Sequence, residues 1–313
     1  YLPIMIQMQK TLKRSYTFEG KGLHSGLFVS MTISPAPVNT GIIFVRKDIG
    51  DDAQVAAISD YVTHTQRGTT LENGEVKVST IEHILSTFIG LGVDNAYIYL
   101  TSFEAPIMDG SAKPFVEAIL PDGLQEQGEP VKYFKVKEEI SYKDPNTGSE
   151  LIIMPDDDYK IDLTIDYNSK VLGVQTAHYS SESTDYAAEI ASCRTFVFFH
   201  ELELLLKHNL IKGGDLENAI VIAEHPVDQQ ELDKMAALFN VTSVKRVPEG
   251  YLNNISLRFP NECARHKLLD VIGDFALIGY RIKGRVIANK SGHQINTQMA
   301  KILREAARKE FNE

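Results

Sequence analysis

Two periodicities of apolar residues along the chain predict its secondary structure. In roughly the first 130 residues, alternation of apolar and polar residues predicts strands at 27–34, 41–46 and 95–100. Apolar residues at helical spacing predict an amphipathic helix at 79–90 and a small helix at PFVEAIL. Downstream, the patterns predict strands at ELIIMP, KIDLTIDY and RVIAN, and helices near 198–209, 228–239, 261–278 and from about 296. Strands and helices occur in both halves without strict βαβ alternation, which favours a layered α+β fold.

The segment PDGLQEQGEP, residues 121–130, is the best candidate for a linker. It combines Pro, Gly and charged residues between two regions that each contain strands and helices. A chain of 313 residues has room for two domains of ordinary size. We therefore expect an N-terminal α+β domain at 1–125 and a C-terminal α+β domain at 126–313.

Composition excludes several classes of function. The formal net charge is -10, so the chain lacks the broad basic surface that nucleic-acid binding usually needs. Only Cys193 and Cys263 are present, without CxxC spacing, which fits a reducing compartment better than a disulfide framework. No apolar run approaches the roughly 18 residues of a membrane span, and the opening YLPIMIQMQK is too short and interrupted for a signal peptide. We expect a cytoplasmic protein without nucleic-acid partners.

Glu82 and His83 lie outside the apolar stripe of the predicted helix at 79–90. A carboxylate and an imidazole beside each other at a helix start suggest a catalytic pair. Ser79 and Glu82 also form an S-x-x-E capping box, which by itself explains a glutamate at this position. The pair does not belong to an HExxH zinc-peptidase motif, because residue 87 is Thr87.

His266, Asp270 and Asp274 recur every four residues and therefore share one face of a predicted helix. This face suits a metal ion, and the alternative is a solvated polar stripe. Cys263 lies three residues before His266 and offers a rival Cys-His-Asp ligand set, although such a cysteine more often packs in a core. A third set adds His83, giving two imidazoles and a carboxylate with one position open to water. Spacing alone leaves these sets open.

Three short motifs contain further candidate residues. ANKSGH places Lys290 and His293 in a glycine-containing turn after a strand, and GKGLHSG places His24 in a glycine-rich turn without P-loop spacing. PIMDGSAKPF indicates an Asp-Gly turn before a helix that starts with Pro. Taken singly, each motif is typical of ordinary turns.

Seven motifs in this order resemble the UDP-3-O-acyl-N-acetylglucosamine deacetylases of lipid A biosynthesis: GKGLHSG, STIEH, PIMDGSAKPF, CRTF, KGGDLENAIV, RHKLLDVIGD and KSGH. The resemblance runs from about residue 9 to 306. It implies two α+β domains of similar topology, each a sheet packed on a pair of helices, with the active site between them. It also implies hydrolysis of the N-acetyl group of the acylated UDP-sugar, releasing acetate and UDP-3-O-acyl-glucosamine in the committed step of lipid A biosynthesis.

The resemblance further implies a ligand set and a general base. Zinc would be bound by His83, His266 and Asp270, which leaves Cys263 out, and iron suits the same ligands. Glu82 would be the general base that deprotonates the zinc-bound water, because the metal lowers the pKa of that water.

Four other residues receive catalytic roles from the same resemblance. His293 would be the protonated second catalytic residue, which stabilises charge and supplies a proton to the leaving amine. Asp274 would orient His293 and raise its pKa. The Thr195 hydroxyl would stabilise the oxyanion, and Lys267 would lie near the reacting centre.

Substrate contacts are implied for four positions. Lys290 is similar to a family lysine that contacts the nucleotide diphosphate, and His24 and Gly213 belong to motifs that we expect to contact substrate. Phe196 and the stretch FVFFHELELLL resemble the segment that forms the acyl-chain passage, with ordinary core packing as the alternative.

One stretch departs from the family pattern. The chain carries a longer segment, including QELDKMAALFNVTSVKRVPEG, than the resemblance leads us to expect, and the role of the surface near 228–250 is open. In some bacteria a dehydratase domain is fused after the deacetylase, and the chain ends too soon to contain one, so it could be an excised portion.

Two other classes of function compete with a deacetylase. A non-catalytic module that binds acylated nucleotide sugars would need no general base beside an open metal site. A zinc peptidase is disfavoured because HExxH is missing. Acyl-chain length, the native metal and the oligomeric state do not follow from the sequence.

Overall fold

The computed structural model describes residues 5–210 and 212–313. Within these ranges, the strands are β1 (Met8–Leu12), β2 (Tyr16–Lys21), β3 (Phe28–Pro35), β4 (Ile42–Arg46), β5 (Gln54–Ala56), β6 (Val62–His64), β7 (Thr70–Asn73), β8 (Val76–Ser79), β9 (Ala96–Leu100), β10 (Leu124–Pro130), β11 (Tyr133–Lys135), β12 (Ile140–Lys143), β13 (Glu150–Met154), β14 (Tyr159–Asp166), β15 (Val174–Ser180), β16 (Phe196–Phe198), β17 (Ile220–Ile222) and β18 (Arg281–Asn289). The helices are α1 (Glu82–Leu91), α2 (Lys113–Ile119), α3 (Tyr186–Glu189), α4 (Phe199–Lys207), α5 (Gln229–Leu238), α6 (Glu262–Phe275) and α7 (His293–Phe311). The predicted mixture of strands and helices is confirmed.

The first sheet has the strand order β2-β3-β9-β4-β5. Neighbouring strands are antiparallel except β9 and β4, which are parallel. Along β3, Val29, Met31 and Ile33 are buried and the residues between them are less so, as the two-residue period of a strand requires. Helix α1 precedes the central strand β9 in the chain, and α2 follows it.

The second sheet repeats this arrangement with the order β12-β13-β18-β14-β15, and β11 pairs with β18 beside it. Here too, the neighbours along this order are antiparallel except one pair, β18 and β14, which is parallel. Helix α6 precedes the central strand β18, and α7 follows it. The expected similarity of topology between the two halves is therefore seen in both strand order and strand direction.

Helices α1 and α6 join the two halves by packing directly against each other. The contact is closest at Gly273 of α6, where an added Cβ would lie 2.1 Å from the carbonyl oxygen of Glu82. Only a residue without a side chain allows the helix backbones to approach this closely. The first turn of α1 is thereby held against the second half of α6.

The predicted linker is more ordered than its composition suggests. Strand β10 occupies most of residues 121–130 and pairs with β1 near the start of the chain. Both halves also contribute side chains to one continuous hydrophobic core. The division into domains at 1–125 and 126–313 therefore stays a prediction.

A smaller layer covers one side of the second half. Strands β16 and β17 form a parallel pair. In the chain, α4 follows β16 and α5 follows β17. Phe198, Ile220 and Ile222 of the two strands pack in the main core. Val221 and the apolar side chains of α4 and α5 form a second hydrophobic cluster. None of the helices in the described part of the chain is long and apolar enough to cross a membrane.

Candidate metal centre and active site

The start of helix α1 places Glu82 and His83 inside the molecule. Glu82 is the first helical residue, only 3% exposed, and its Oε2 accepts a hydrogen bond from the backbone N–H of Thr69 (3.2 Å). The capping-box explanation for this glutamate is wrong. Ser79 lies in β8, where its hydroxyl pairs with that of Thr70 (3.0 Å), and no side chain caps α1.

His83, His266 and Asp270 form a buried cluster of potential metal ligands. One ligand atom from each lies within 4.8 Å of the others. Asp270 Oδ1 is 3.4 Å from His266 Nε2 and 3.8 Å from His83 Nε2, and both distances are long for hydrogen bonds. The two imidazole rings stand at 87° with their centroids 5.1 Å apart.

The protonation and hydrogen bonds of this cluster fit a bound cation. His266 Nδ1 donates to the carbonyl of Cys193 (2.9 Å), so its Nε2 carries the lone pair that points toward Asp270. Burial, aided by the nearby His266, lowers the pKa of His83 to about 3, which keeps that imidazole neutral. Among the described residues, Asp270 Oδ1 is buried without a hydrogen-bond partner. A buried carboxylate oxygen facing two imidazole nitrogens is a donor set that suits a divalent metal.

Cys263 takes no part in the ligand cluster found in the described residues. It is 1% exposed and lies in the main hydrophobic core. Burial raises the pKa of its thiol, so the thiolate form that binds metals is disfavoured.

A second buried group surrounds Asp274, on the helix that carries two of the potential ligands. Asp274 Oδ2 accepts a hydrogen bond from His293 Nδ1 (2.8 Å) and another from the side-chain amide of Asn296 (3.0 Å). Its Oδ1 accepts from the Thr69 hydroxyl (2.6 Å). These contacts fix the ring of His293, the first residue of α7, and leave its Nε2 to face the interior of the site.

Glu82 and His293 face each other across the site, with Oε1 and Nε2 3.6 Å apart. Burial raises the pKa of Glu82 to about 7, although the His293 charge opposes the rise. Burial opposes the charged form of His293, but Asp274 and Glu82 outweigh it and raise its pKa to about 10. Near neutral pH, this pair supplies a proton acceptor and a proton donor in one pocket.

A cavity of about 540 Å³ lies beside this pair, and His293 is one of its lining residues. Its polar end includes His266, Asp270 and His293, together with Thr195 and Lys267. Its apolar lining is formed by Leu23, Phe196, Val197, Phe198, Leu202, Leu204, Leu205, Leu216, Val221 and Phe239. Arg67, Glu201, Asp215 and Asn218 also line the cavity. A cavity with both convergent polar groups and a mainly apolar wall suits a ligand that has a polar part and an apolar part.

Thr195, Lys267 and Phe196 all line the cavity. Lys267 Nζ lies 5.9 Å from the centre of the Phe196 ring. Burial by itself lowers the pKa of Lys267. The neighbouring Tyr167 hydroxyl and Asp270 carboxylate together have a larger, opposite effect, so the pKa of Lys267 is raised above its ordinary value. Lys267 is therefore a cation facing the cavity.

The other three residues predicted to contact substrate differ in their position relative to the cavity. His24 lines the cavity, and its Nε2 donates to the carbonyl of Arg67 (3.0 Å). Gly213 packs against the turn that holds His24, where an added Cβ would come within 1.9 Å of the Gly22 carbonyl oxygen. Lys290 is exposed, has a left-handed backbone (φ 55°) and is not part of the cavity lining.

Three residues of the site had no interpretation from the sequence. Thr69 contacts both Glu82 and Asp274, and no motif marks it. Tyr167 lines the cavity beside Phe196, with ring centroids 5.7 Å apart. Asn296 carried a usable signal, because it lies three residues after His293 and so shares its helix face.

Comparison with known proteins adds to this geometry. The family model described as UDP-3-O-acyl N-acetylglycosamine deacetylase matches residues 9–236 and 225–305. The chain is 47% identical over 300 residues to the bifunctional enzyme LpxC/FabZ of Porphyromonas gingivalis, covering 96% of the chain and 64% of that protein. It is 44% identical over 300 residues to the bifunctional enzyme LpxC/FabZ of Bacteroides thetaiotaomicron, with 96% and 65% covered. The chain thus spans less than two thirds of the length of these bifunctional relatives.

A relative of more similar length carries a single name. The chain is 40% identical over 297 residues to the UDP-3-O-acyl-N-acetylglucosamine deacetylase of Pseudomonas entomophila, covering 94% of the chain and 89% of that protein. The ranges matched by the family model include both sheets and both helices that contribute to the cluster of His83, His266 and Asp270.

Proposed function

The chain belongs to the family of UDP-3-O-acyl N-acetylglycosamine deacetylases, and from that premise we propose that it hydrolyses the N-acetyl group of a UDP-3-O-acyl-N-acetylglucosamine. The products are acetate and UDP-3-O-acyl-glucosamine, in the committed step of lipid A biosynthesis. The observation that carries the proposal is the buried Asp270 Oδ1, which faces His83 and His266 without a hydrogen-bond partner among the described residues. A site of this kind next to Glu82 and His293 is suited to amide hydrolysis.

His83, His266 and Asp270 are the residues that would hold the metal, and we propose zinc. Two imidazole nitrogens and one carboxylate oxygen are a common set for catalytic zinc, and Fe²⁺ accepts the same donors. When bound, the metal would polarise the acetamide carbonyl and increase the acidity of water in the site.

Glu82 accepts the proton of the attacking water. Its raised pKa, about 7, makes it basic enough to take this proton near neutral pH. As the proton leaves, the water oxygen forms a bond to the carbonyl carbon and the carbonyl oxygen becomes negative. The Thr195 hydroxyl, which lines the cavity, donates a hydrogen bond to that oxygen. Lys267 adds positive charge nearby.

His293 completes the reaction by protonating the sugar nitrogen as the C–N bond breaks. Its pKa of about 10 keeps it charged until this step. Asp274 holds Nδ1 and stabilises the positive ring, so the proton on Nε2 is the one transferred. The attached nitrogen leaves as an amine, and acetate remains.

The cavity divides the substrate by chemistry. The apolar wall that includes Phe196 would cover the acyl chain. His24 lines the cavity and Gly213 packs against the turn that holds it, so we infer that both help to place the sugar. Lys290 would contact the diphosphate from the turn before α7. Two free cysteines, both buried, suit a reducing compartment, and we place the enzyme in the cytoplasm.

A release assay tests the proposal against the alternative of a non-catalytic binding module. We expect the metal-replete protein to release acetate from UDP-3-O-acyl-N-acetylglucosamine, chelation to abolish the release, and added zinc to restore it. Elemental analysis of the purified protein should find about one metal ion per chain. Tight substrate binding without acetate release, or release that survives complete removal of metal, contradicts the proposal.

A further inference from the structure

Residues 224–251 form an excursion that leaves strand β17 and returns beside it. The N–H of Ala223 donates to the carbonyl of Gly250 (2.8 Å), which joins the two ends of the excursion. The family model matches the chain in two segments that overlap at 225–236, within this excursion. The longer stretch at 228–250 is therefore anchored at both ends next to β17. We call it the α5 excursion.

The α5 excursion has an apolar face that packs on the wall of the cavity. Leu232, Met235 and Ala236 of α5 are buried in the second hydrophobic cluster. The same cluster contains Phe199 and Leu202 of α4. Since Leu202 also lines the cavity, α5 lies directly behind the apolar wall.

One residue of the excursion lines the cavity itself. Phe239 follows the last turn of α5, and its N–H donates to the carbonyl of Met235 (3.1 Å), which fixes its position relative to the helix. Its side chain lies among the apolar lining residues with Leu216 and Val221. Phe239 packs against the second cluster, whereas α6, which carries two of the potential metal ligands, packs its apolar side chains into the main core. Phe239 therefore lines the part of the cavity that the smaller layer forms, and not the part formed by α6.

We propose that the α5 excursion closes the apolar end of the cavity and that Phe239 limits the length of the acyl chain that fits. The inference rests on the proposed function for the identity of the occupant as a linear acyl chain. Each methylene that leaves water for an apolar wall tightens binding about fourfold. A chain that reaches the Phe239 ring has no further wall to cover, and additional methylenes stay in water.

The test is calorimetric binding of saturated fatty acids of increasing length to the metal-replete protein. For the wild type, affinity should rise about fourfold per methylene up to one chain length and then level off. Phe239→Ala should move this break to longer chains and tighten binding of the longest acids about tenfold. Phe239→Leu, which keeps most of the apolar contact, should move the break less. Leu238→Ala is the matched control, because Leu238 is 61% exposed on the same helix end and does not line the cavity.

An identical break in the wild type, Phe239→Ala and Phe239→Leu overturns the inference, as does an equal shift in Leu238→Ala. The assay needs no turnover, so it separates the two proposals. If the break moves in the Phe239 variants but the wild type releases no acetate from the acylated sugar, the role of Phe239 is supported and the proposed deacetylase activity is contradicted.

Discussion

The sheet β2-β3-β9-β4-β5 and the sheet β12-β13-β18-β14-β15 share strand order and direction, and in each a helix precedes the central strand in the chain. In the first half this helix is α1, which begins with Glu82 and His83. In the second half it is α6, which carries His266, Asp270 and Asp274 along its length. Corresponding helices thus face each other with different polar residues.

The halves also differ in the helix that follows the central strand. Helix α7 begins with His293, whereas α2, its counterpart in the first half, adds no residue to the cavity lining. In the proposed mechanism, the proton acceptor Glu82 comes from the first half and the proton donor from the second. The comparison teaches that neither repeat contains a complete site, so the approach of α1 to α6 is as necessary as the polar side chains.

Removing the acceptor or the donor should have the largest effect. Glu82→Gln and His293→Gln should each lower kcat/KM about 100-fold or more, because each removes one proton-transfer group from the site. Steady-state kinetics on the acylated sugar measures both. Unchanged metal content by elemental analysis is the control, since neither residue is a proposed ligand. A rate within about twofold of wild type in either variant would falsify that assignment.

The two variants should also lose opposite limbs of the pH profile. Glu82 acts when deprotonated, so wild-type kcat/KM should rise through the pKa of about 7. His293 acts when protonated, so the rate should fall through its pKa of about 10. A bound dication favours the anion and disfavours the cation, which moves both limbs to lower pH. Glu82→Gln should lack the acidic limb and His293→Gln the alkaline limb, and retention of both limbs contradicts the division of roles.

A substitution that forces α1 and α6 apart should have the next largest effect, a decrease in the free energy of unfolding. Gly273→Ala places a methyl group against the Glu82 carbonyl and should destabilise the fold by about 2 kcal/mol. Alanine is the better helix former by about 1 kcal/mol, so destabilisation at this helical position isolates the effect of the close approach. Urea unfolding measures the difference. Gly128→Ala is the control, because a methyl group there meets nothing within 4 Å. Equal stability of the two variants means that α1 and α6 tolerate separation.

Weakening the hydrogen bond between Asp274 and His293 should have the smallest effect on kcat/KM among these changes. Asp274→Asn keeps the size of the side chain but removes the charge that raises the pKa of His293. We expect kcat/KM to fall about tenfold and the alkaline limb to move to lower pH. Asn296→Ala removes only one hydrogen bond to the same carboxylate and should shift the limb less. An alkaline limb that does not move in Asp274→Asn shows that another group controls it.

Local periodicity accounts for most of what was predicted correctly. The strands at 27–34 and 95–100 and the helix at 261–278 follow from patterns that span a few turns or a few alternations. The four-residue spacing of His266 and Asp270 likewise places both on one helix face without knowledge of the rest of the fold. The capping-box explanation of Glu82 was wrong because a contact between strands overrides the local S-x-x-E pattern. Ser79 is in strand β8 and bonds across to Thr70.

The sequence by itself determined the main strands and helices, the polar face of α6 and, through the order of its motifs, the family. It did not predict β10, which occupies most of the expected linker. Spacing alone left open whether His83 joins that face, the resemblance implied it, and the tertiary structure places the three side chains together. Only the tertiary structure decided that Thr69 holds Asp274 across 205 positions of the chain and that Phe239 lines the cavity. The physical reason is the range of the interactions. Helix and strand periods depend on neighbours in the chain, whereas a buried hydrogen bond or a cavity wall depends on which distant segments pack together.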